Sequence, residues 1–353
     1  MSLVDKFQFN RETELNVPRM EKNPSDYILD SGLYNAVRVA ILLKQPLLLT
    51  GEPGTGKTRL AEKLAADLCA EYPDEYLDKP LVFNTKTIST STDLFYLYDA
   101  LGHFHATHFD SIKPEGETGS PATGAVLSVS EKPQVPGVAR HIRLQALGQA
   151  IVLSSQAMLD KCPYLPMLGV DGSKPRSSVV LIDEVDKAPR DFTNDLLNEL
   201  DRFTFQVRED GNAEYQVGPK NIFVILTSNS EKNLPDAFLR RCIFYHIDFP
   251  QEDQLQKIVL SQIFNKLEEL KANEAKRKAV EETIMKYITF FVDVKNLNLK
   301  KKPATAELIS WIYYLREDIL NNRSPAEVDE PKKWASYSIL AKHAEDLALL
   351  KTL

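Results

Sequence analysis

Cysteine is scarce: three residues in 353, Cys69, Cys162 and Cys242, far apart and odd in number. They exclude a disulfide framework and a paired-cysteine zinc site, and they point to a reducing compartment. Cys69 and Cys162 show no basic neighbours of the kind that activate a thiolate. Long hydrophobic runs are missing too. A bilayer span takes about 18 apolar residues or more, whereas the strongest early run, 37–50, is broken by Lys44, Gln45 and Pro46. Residues 1–11 alternate polar and charged types and lack the apolar centre of a signal peptide. These absences predict a soluble, cytoplasmic chain. An excess of positive charge is likewise lacking. Forty-three basic and 50 acidic residues leave a net charge of −7, which argues against a generally basic duplex binder. What remains is ordinary globular material, 43% hydrophobic and 26% charged. That is enough for a sizeable core, and the length suits about two domains.

Apolar periodicity predicts a helix over 31–44, ended by Pro46, then a short buried strand over 47–50. A glycine-rich turn follows, and a second helix over 57–71 carries Leu60, Ala61, Leu64, Ala65 and Leu68 on one face. Further strands are expected at 81–85, 151–153, 179–182 and 222–226, with a helix over 192–203. Alternating β and α segments predict a parallel sheet with helices on both faces. Between 205 and 217 the pattern alternates around Asp210-Gly211, which reads as a β-hairpin. Residues 100–140, with Pro114, Pro121, Pro133 and Pro136, read as a long mobile insertion. From Gln251 onward the chain turns helical and charged, with only a weak strand signal over 288–294, so an all-α domain is expected beyond Pro250. The expected organisation is an α/β domain over 1–250 and a smaller helical domain over 251–353.

Chemistry concentrates in one turn. Gly51-Glu52-Pro53-Gly54-Thr55-Gly56-Lys57-Thr58 fits G-x-x-x-x-G-K-[ST] at every fixed position. Glycines let backbone N–H groups converge on phosphate oxygens, at a helix N-terminus that adds positive potential. In such a loop Lys57 reaches the β- and γ-phosphates and the Thr58 hydroxyl ligates Mg2+. Val179 to Glu184 then sets two carboxylates at the end of a buried strand, where open α/β sheets bind ligands. Asp183 suits Mg2+ and Glu184 suits polarising a water for attack on the γ-phosphate. No N-K-x-D guanine-reading motif occurs, so ATP is the expected nucleotide. Thr227-Ser228-Asn229 ends the next strand, and Asn229 is a candidate to hold that water. Arg240 and Arg241 follow a short helical stretch from Asp236.

In this order the residues resemble an AAA+ ATPase, and within that class the MoxR-type group, whose wider clade includes McrB, dynein and midasin modules. The likeness spans roughly 25–320 and implies a P-loop α/β fold followed by an all-α lid. It makes Gly51 to Thr58 the Walker A motif, Leu181 to Asp186 the Walker B motif, Asn229 sensor 1, and Arg240 or Arg241 an arginine finger. It also gives 100–140 the place of an insert after the second strand, and makes the 205–217 hairpin a second insert. Tyr27 and Ile28 resemble the segment that packs on adenine. No arginine opens the lid helix that begins near Ala304; Lys302 stands in the sensor 2 position, although a lysine cannot clamp bidentately. The resemblance implies an ATP-promoted homo-oligomeric ring, a hexamer, acting on a protein partner such as a von Willebrand-type domain protein. A nucleic-acid-directed motor of McrB type, or a nucleotide switch with little turnover, are the alternatives.

Other signals read as structural. His103, His105 and His108 are assigned to an exposed loop, and the mixed-sign run 266–282 to a solvated helical face. The insert and the hairpin tip, Glu209 to Asn212, are expected to project from the core toward the partner.

Overall fold

The computed structural model describes residues 23–110, 137–165, 174–217, 222–230, 234–264, 267, 270 and 272–353. They cluster into two compact units. One comprises Asp30–Gly51 with Lys57–Ile247; the other comprises Asp248–Leu353 with Glu52–Gly56 and the described residues up to Leu29.

In the first unit, β1 (Leu47–Gly51), β2 (Leu81–Asn84), β5 (Ser178–Asp183), β8 (Ile222–Thr227) and β9 (Ile243–Ile247) form a parallel sheet of order β2-β5-β8-β1-β9. The central strands are buried on both faces, and Leu47, Leu48 and Leu49 have no exposed surface, which is why they read as unbroken apolar runs. Helix α1 (Ser31–Leu43) precedes β1, and α2 (Lys57–Glu71) starts directly after the glycine turn. The step from β1 to β2 runs along the sheet opposite to the steps β2 to β5, β5 to β8 and β8 to β9. Right-handed crossovers therefore cover both faces with helices.

Two strand expectations need correction. Residues 151–153 lie in a helix, Ala146–Leu153, buried along all its length but for Gln149. A helix apolar on every side has no periodicity to distinguish it from a buried strand. The signal over 288–294 belongs to the helix Glu274–Asn296, where Tyr287, Ile288, Phe291 and Val294 are buried at helical spacing. Packing there overrides the β-branched preference. Conversely, β9 escapes the sequence pattern. It is an edge strand of half-exposed, partly polar residues, and its register pairs Leu47 with Ile243 and Gly51 with Ile247.

The insert expected over 100–140 is not wholly an excursion. Residues 111–136, with Pro114, Pro121, Pro133 and Pro136, lie outside the described residues. Its start forms the helix Ala100–Asp110, and its end leads into β4 (Ile142–Leu144), antiparallel to β3 (Tyr96–Tyr98). His103 and His105 thus sit on a helix rather than a loop. The His103 ring stacks on His141 at 4.9 Å, and its Nδ1 lies 2.6 Å from the Tyr98 hydroxyl.

β6 (Thr204–Val207) and β7 (Ala213–Gln216) form the hairpin. Its tip is not a free projection. Tyr164 Oη donates to Asp210 at 2.5 Å and Tyr96 Oη donates to Glu209 at 2.9 Å. Beneath them Phe95, Phe205 and Tyr215 stack with centroids 5.1 and 5.0 Å apart, each pair contributing about 0.5–1.5 kcal/mol beyond buried area. Tyr164 has no exposed surface, so its bond to a carboxylate contributes about 1.5–3 kcal/mol. Tyr164→Phe is expected to lower the unfolding free energy measured by urea titration by that amount. Tyr96→Phe, facing the exposed Glu209, is expected to lower it less. Equal, negligible losses in both variants would leave the aromatic stack as the only anchor.

The second unit is helical. Glu252–Val259, Glu274–Asn296, Thr305–Tyr314, Arg316–Leu320, Glu330–Leu340 and Ala344–Leu350 surround a core of Tyr287, Phe291, Leu308, Trp311 and Ile312. Asp346, 3% exposed, accepts the backbone N–H groups of Lys300 and Lys301 at 2.9 and 3.2 Å. No helix among the described residues is long and apolar enough to cross a membrane.

Candidate functional site

β1, β8 and β5 are neighbours, so the sheet delivers Gly51, Thr227 and Asp183 to the same edge. Gly51 closes β1 with φ +142°, and a Cβ there would stand 2.5 Å from the Ile247 carbonyl oxygen. Only glycine lets the chain leave the strand at that point. Lys57 opens α2 and is 7% exposed, its Nζ donating to the Gly51 carbonyl at 2.8 Å. Burial pushes the ammonium pKa down, opposed by the charges of Asp183, Asp186 and Glu184. A cation kept in this position faces three carboxylates within one unit.

The next residue, Thr58, donates its hydroxyl to both Asp183 oxygens at 3.1 and 3.2 Å. This pair offers hard oxygen ligands to a divalent cation. Among the described residues no cluster of three or more His, Cys, Asp or Glu forms a dedicated metal cage. One hydroxyl and one carboxylate fit Mg2+, which keeps several waters and takes its other ligands from phosphates.

Glu184 sits in the left-handed region, φ +58° and ψ +49°, before the short turn Val185–Lys187. For a residue with a Cβ that conformation costs about 1–2 kcal/mol. It ends the strand alternation that would otherwise send Asp183 and Glu184 to opposite faces. The Glu184 carboxylate bonds to Lys187 through Oε2 and meets Asn229 Nδ2 at 3.5 Å through Oε1. The bond to Glu184 raises the Lys187 pKa. The Asn229 backbone N–H donates to Asp186 at 3.3 Å. Thr227, fully buried, accepts the Glu184 N–H at 2.9 Å and donates its own proton to Asp183 Oδ1. Lys57, Thr58, Asp183, Glu184 and Asn229 are thus one connected group.

Arg240 and Arg241 do not join it. Both are exposed at the end of Asp236–Leu239, and Arg241 pairs with Asp201 at 3.8 Å. Thr227 and Lys187 are the members that the sequence does not single out. A threonine ending an apolar strand reads as a β-branched packing residue, and a lysine soon after Glu184 reads as part of a solvated turn.

The middle of the loop, Glu52–Gly56, packs within the other unit. Gly56 has φ +91°, and a Cβ there would lie 3.0 Å from the Tyr27 ring. Gly54 lies against Ala304. Glu52 pairs with Lys295 at 2.9 Å, and Lys295 stands 3.1 Å above the Phe249 ring. Thr55 Oγ1 donates to the Glu52 carbonyl at 2.9 Å, while Ile28 and Lys302 are exposed. Cys162 and Cys242 are buried. Burial lifts the Cys162 thiol to about 11 and that of Cys242 to about 12, which keeps both protonated at neutral pH.

Comparison with known proteins agrees with the geometry. Residues 169–289 match the AAA domain (Cdc48 subfamily), and residues 42–218 match the AAA domain family. Two solved structures are similar at low score. The HORMA:CdnC:Trip13 complex of E. coli MS115-1 has 14% identity, 92% of this chain and 79% of that chain covered, and a TM-score of 0.36. A RuvB variant of Thermotoga maritima has 12% identity, 87% and 67% coverage, and a TM-score of 0.37. No curated protein matches. The match over 42–218 takes in half of the chain, including both the phosphate-loop motif and the Asp183-Glu184 pair: the chain belongs to the AAA domain family of ATPases.

Proposed function

We propose that the chain is a Mg2+-dependent, ring-forming ATPase of MoxR type whose turnover remodels or matures a protein partner. The observation that carries this reading is the convergence of the buried Lys57 ammonium, the Thr58 hydroxyl and the Asp183 carboxylate at one sheet edge. In the proposed roles the backbone of Gly51 to Gly56, with Glu52, Pro53, Gly54 and Thr55 between them, cradles phosphate. Lys57 opposes the charge of the β- and γ-phosphates. Thr58 and Asp183 would hold Mg2+, which supplies neutralisation of phosphate charge when bound. Glu184 takes a proton from the attacking water, and Asn229 orients that water. Arg240 or Arg241, exposed and outside its own group of carboxylates, serves the site of a neighbouring subunit. Tyr27, beside Gly56, and Ile28 are assigned to adenine, and Lys302 to the γ-phosphate. The functional division is a nucleotide-binding domain over 1–250 and a helical domain over 251–353. A protein partner, with a von Willebrand-type domain as the family's example, and a cytoplasmic location complete the reading. The net charge of −7 counts against nucleic acid as partner.

One observation favours a second reading. Glu184 is engaged by Lys187, an arrangement suited to a nucleotide switch with little turnover. Glu184→Gln separates the two. On the ATPase reading it keeps fluorescent-nucleotide affinity and cuts phosphate release at least tenfold, about 1.4 kcal/mol of barrier. A wild-type rate no faster than the Gln variant's leaves the switch. A smaller fall from an active wild type means that Glu184 is not the base.

A further inference from the structure

We propose that Thr227 is the positioning residue of this site, its single hydroxyl setting the orientation of both carboxylates; the assignment rests on the ATPase reading above. A hydroxyl has one proton and two lone pairs. Here the proton and one lone pair are committed by their neighbours' chemistry. An ionised Asp183 can only accept, so the Thr227 proton points to Oδ1. The Glu184 backbone N–H can only donate, so it takes a Thr227 lone pair, at 2.9 Å. The hydroxyl rotor is left with one orientation.

The position suits the task. Thr227 ends β8, paired with Leu49 of β1 on one side and following Leu226, which pairs with Ile182 of β5, on the other. It is fully buried, so no water competes for its two bonds. Its branched Cβ stiffens χ1 in a strand. The consequences reach both halves of the chemistry. Asp183 is fixed between the Thr227 hydroxyl and the Thr58 hydroxyl, which sets the direction of the oxygen offered to a cation. Glu184 is held by its N–H in the left-handed turn that turns its carboxylate toward Asn229. Removing the hydroxyl disturbs both carboxylates without touching either.

Two substitutions oppose this role to simple packing. Thr227→Val keeps the shape and loses the hydroxyl; Thr227→Ser keeps the hydroxyl and loses a methyl. Were Thr227 only a core residue, Val would be tolerated and Ser would cost more. The positioning role reverses the order. Val is expected to reduce kcat and raise the Mg2+ concentration for half-maximal turnover by about 10–100-fold, the range for partners that orient metal ligands. KM for ATP is expected to stay within about twofold, because Lys57 and the loop are intact. Ser is expected to restore most of both. Val as active as wild type, or Ser as impaired as Val, overturns the proposal.

A wild type that turns over no ATP with Mg2+ would instead remove the ATPase reading. The inference is then decided by amide hydrogen exchange at Glu184 in the full chain. Val is expected to speed exchange there at least tenfold and Ser to leave it slow. Equal protection in all three proteins overturns the positioning role whatever the ATPase assay shows.

Discussion

Lys57→Ala is expected to give a folded protein that no longer binds ATP. The two halves of that statement have separate physical grounds. Folding survives because the ammonium is a burden to the empty chain: it is 7% exposed, and burial lowers its pKa. Removing a desolvated charge costs little stability unless a partner is left stranded. One partner atom here is the Gly51 carbonyl, whose net bond contributes about 0.5–1.5 kcal/mol. The nearby charges of Asp183, Asp186 and Glu184 then lose a counter-ion, so no rise in stability is expected either. Binding fails because polyphosphate would face three carboxylates at this sheet edge without the buried ammonium, the Lys187 cation being engaged with Glu184. Thermal shift measures both halves at once. Wild type at 100 times Kd gains about 2.7 kcal/mol from ligand; the variant is expected to melt near the wild-type apo temperature and gain nothing. Micromolar ATP affinity in Lys57→Ala would remove the phosphate site from this loop. Lys57→Arg is expected to fail as well, since a buried point-charge position does not admit a planar fork.

How far the sequence alone reaches is decided by burial. β1, the glycine turn and α2 could be read almost to the residue, because a strand buried on both faces and a helix with one apolar stripe have distinct patterns. β9 could not be, because its five residues, Ile243 to Ile247, are mostly apolar yet only partly buried, and they carry no polar–apolar alternation to mark a strand. The helix Ala146–Leu153 fails for the opposite reason, being apolar on all sides. At the site, residue types that do one thing in any context were legible: the lysine after glycine, and the carboxylates ending a strand. Thr227 was not, since its role depends on two hydrogen bonds that only the pairing of β8 between β1 and β5 creates. The left-handed turn at Glu184 was not legible either. It is a non-glycine exception that hydrogen bonding to a distant strand sustains. The tethered hairpin tip follows the same rule, because Tyr96 and Tyr164 are remote from Glu209 and Asp210 in sequence.

Arg241→Ala is expected to leave ATP affinity nearly unchanged and to reduce kcat by about 10³–10⁵, the contribution of arginine fingers in related phosphoryl transfer. Arg241 is paired only across 3.8 Å with Asp201, and both side chains are at least half exposed. Such a pair contributes about 0–1 kcal/mol, too little to hold the guanidinium back from a stronger anion. Arg240 is exposed in the same turn, and if the register is one residue off, Arg240→Ala shows the effect instead. The two single variants distinguish them. Because neither arginine joins the carboxylate group of its own chain, the decisive measurement is complementation. Subunits lacking the finger keep an intact phosphate loop, and Lys57→Ala subunits keep an intact finger. In a head-to-tail ring of equal parts, about a quarter of the interfaces bring one of each together in the productive order. The mixture is therefore expected to recover about that fraction of wild-type turnover, while each variant alone stays inactive. Rings shown to contain both variants yet recovering nothing would mean that the arginines act within their own subunit or not at all. Full activity of Arg240→Ala and Arg241→Ala alike would remove the finger, and with it the chemical reason for a ring.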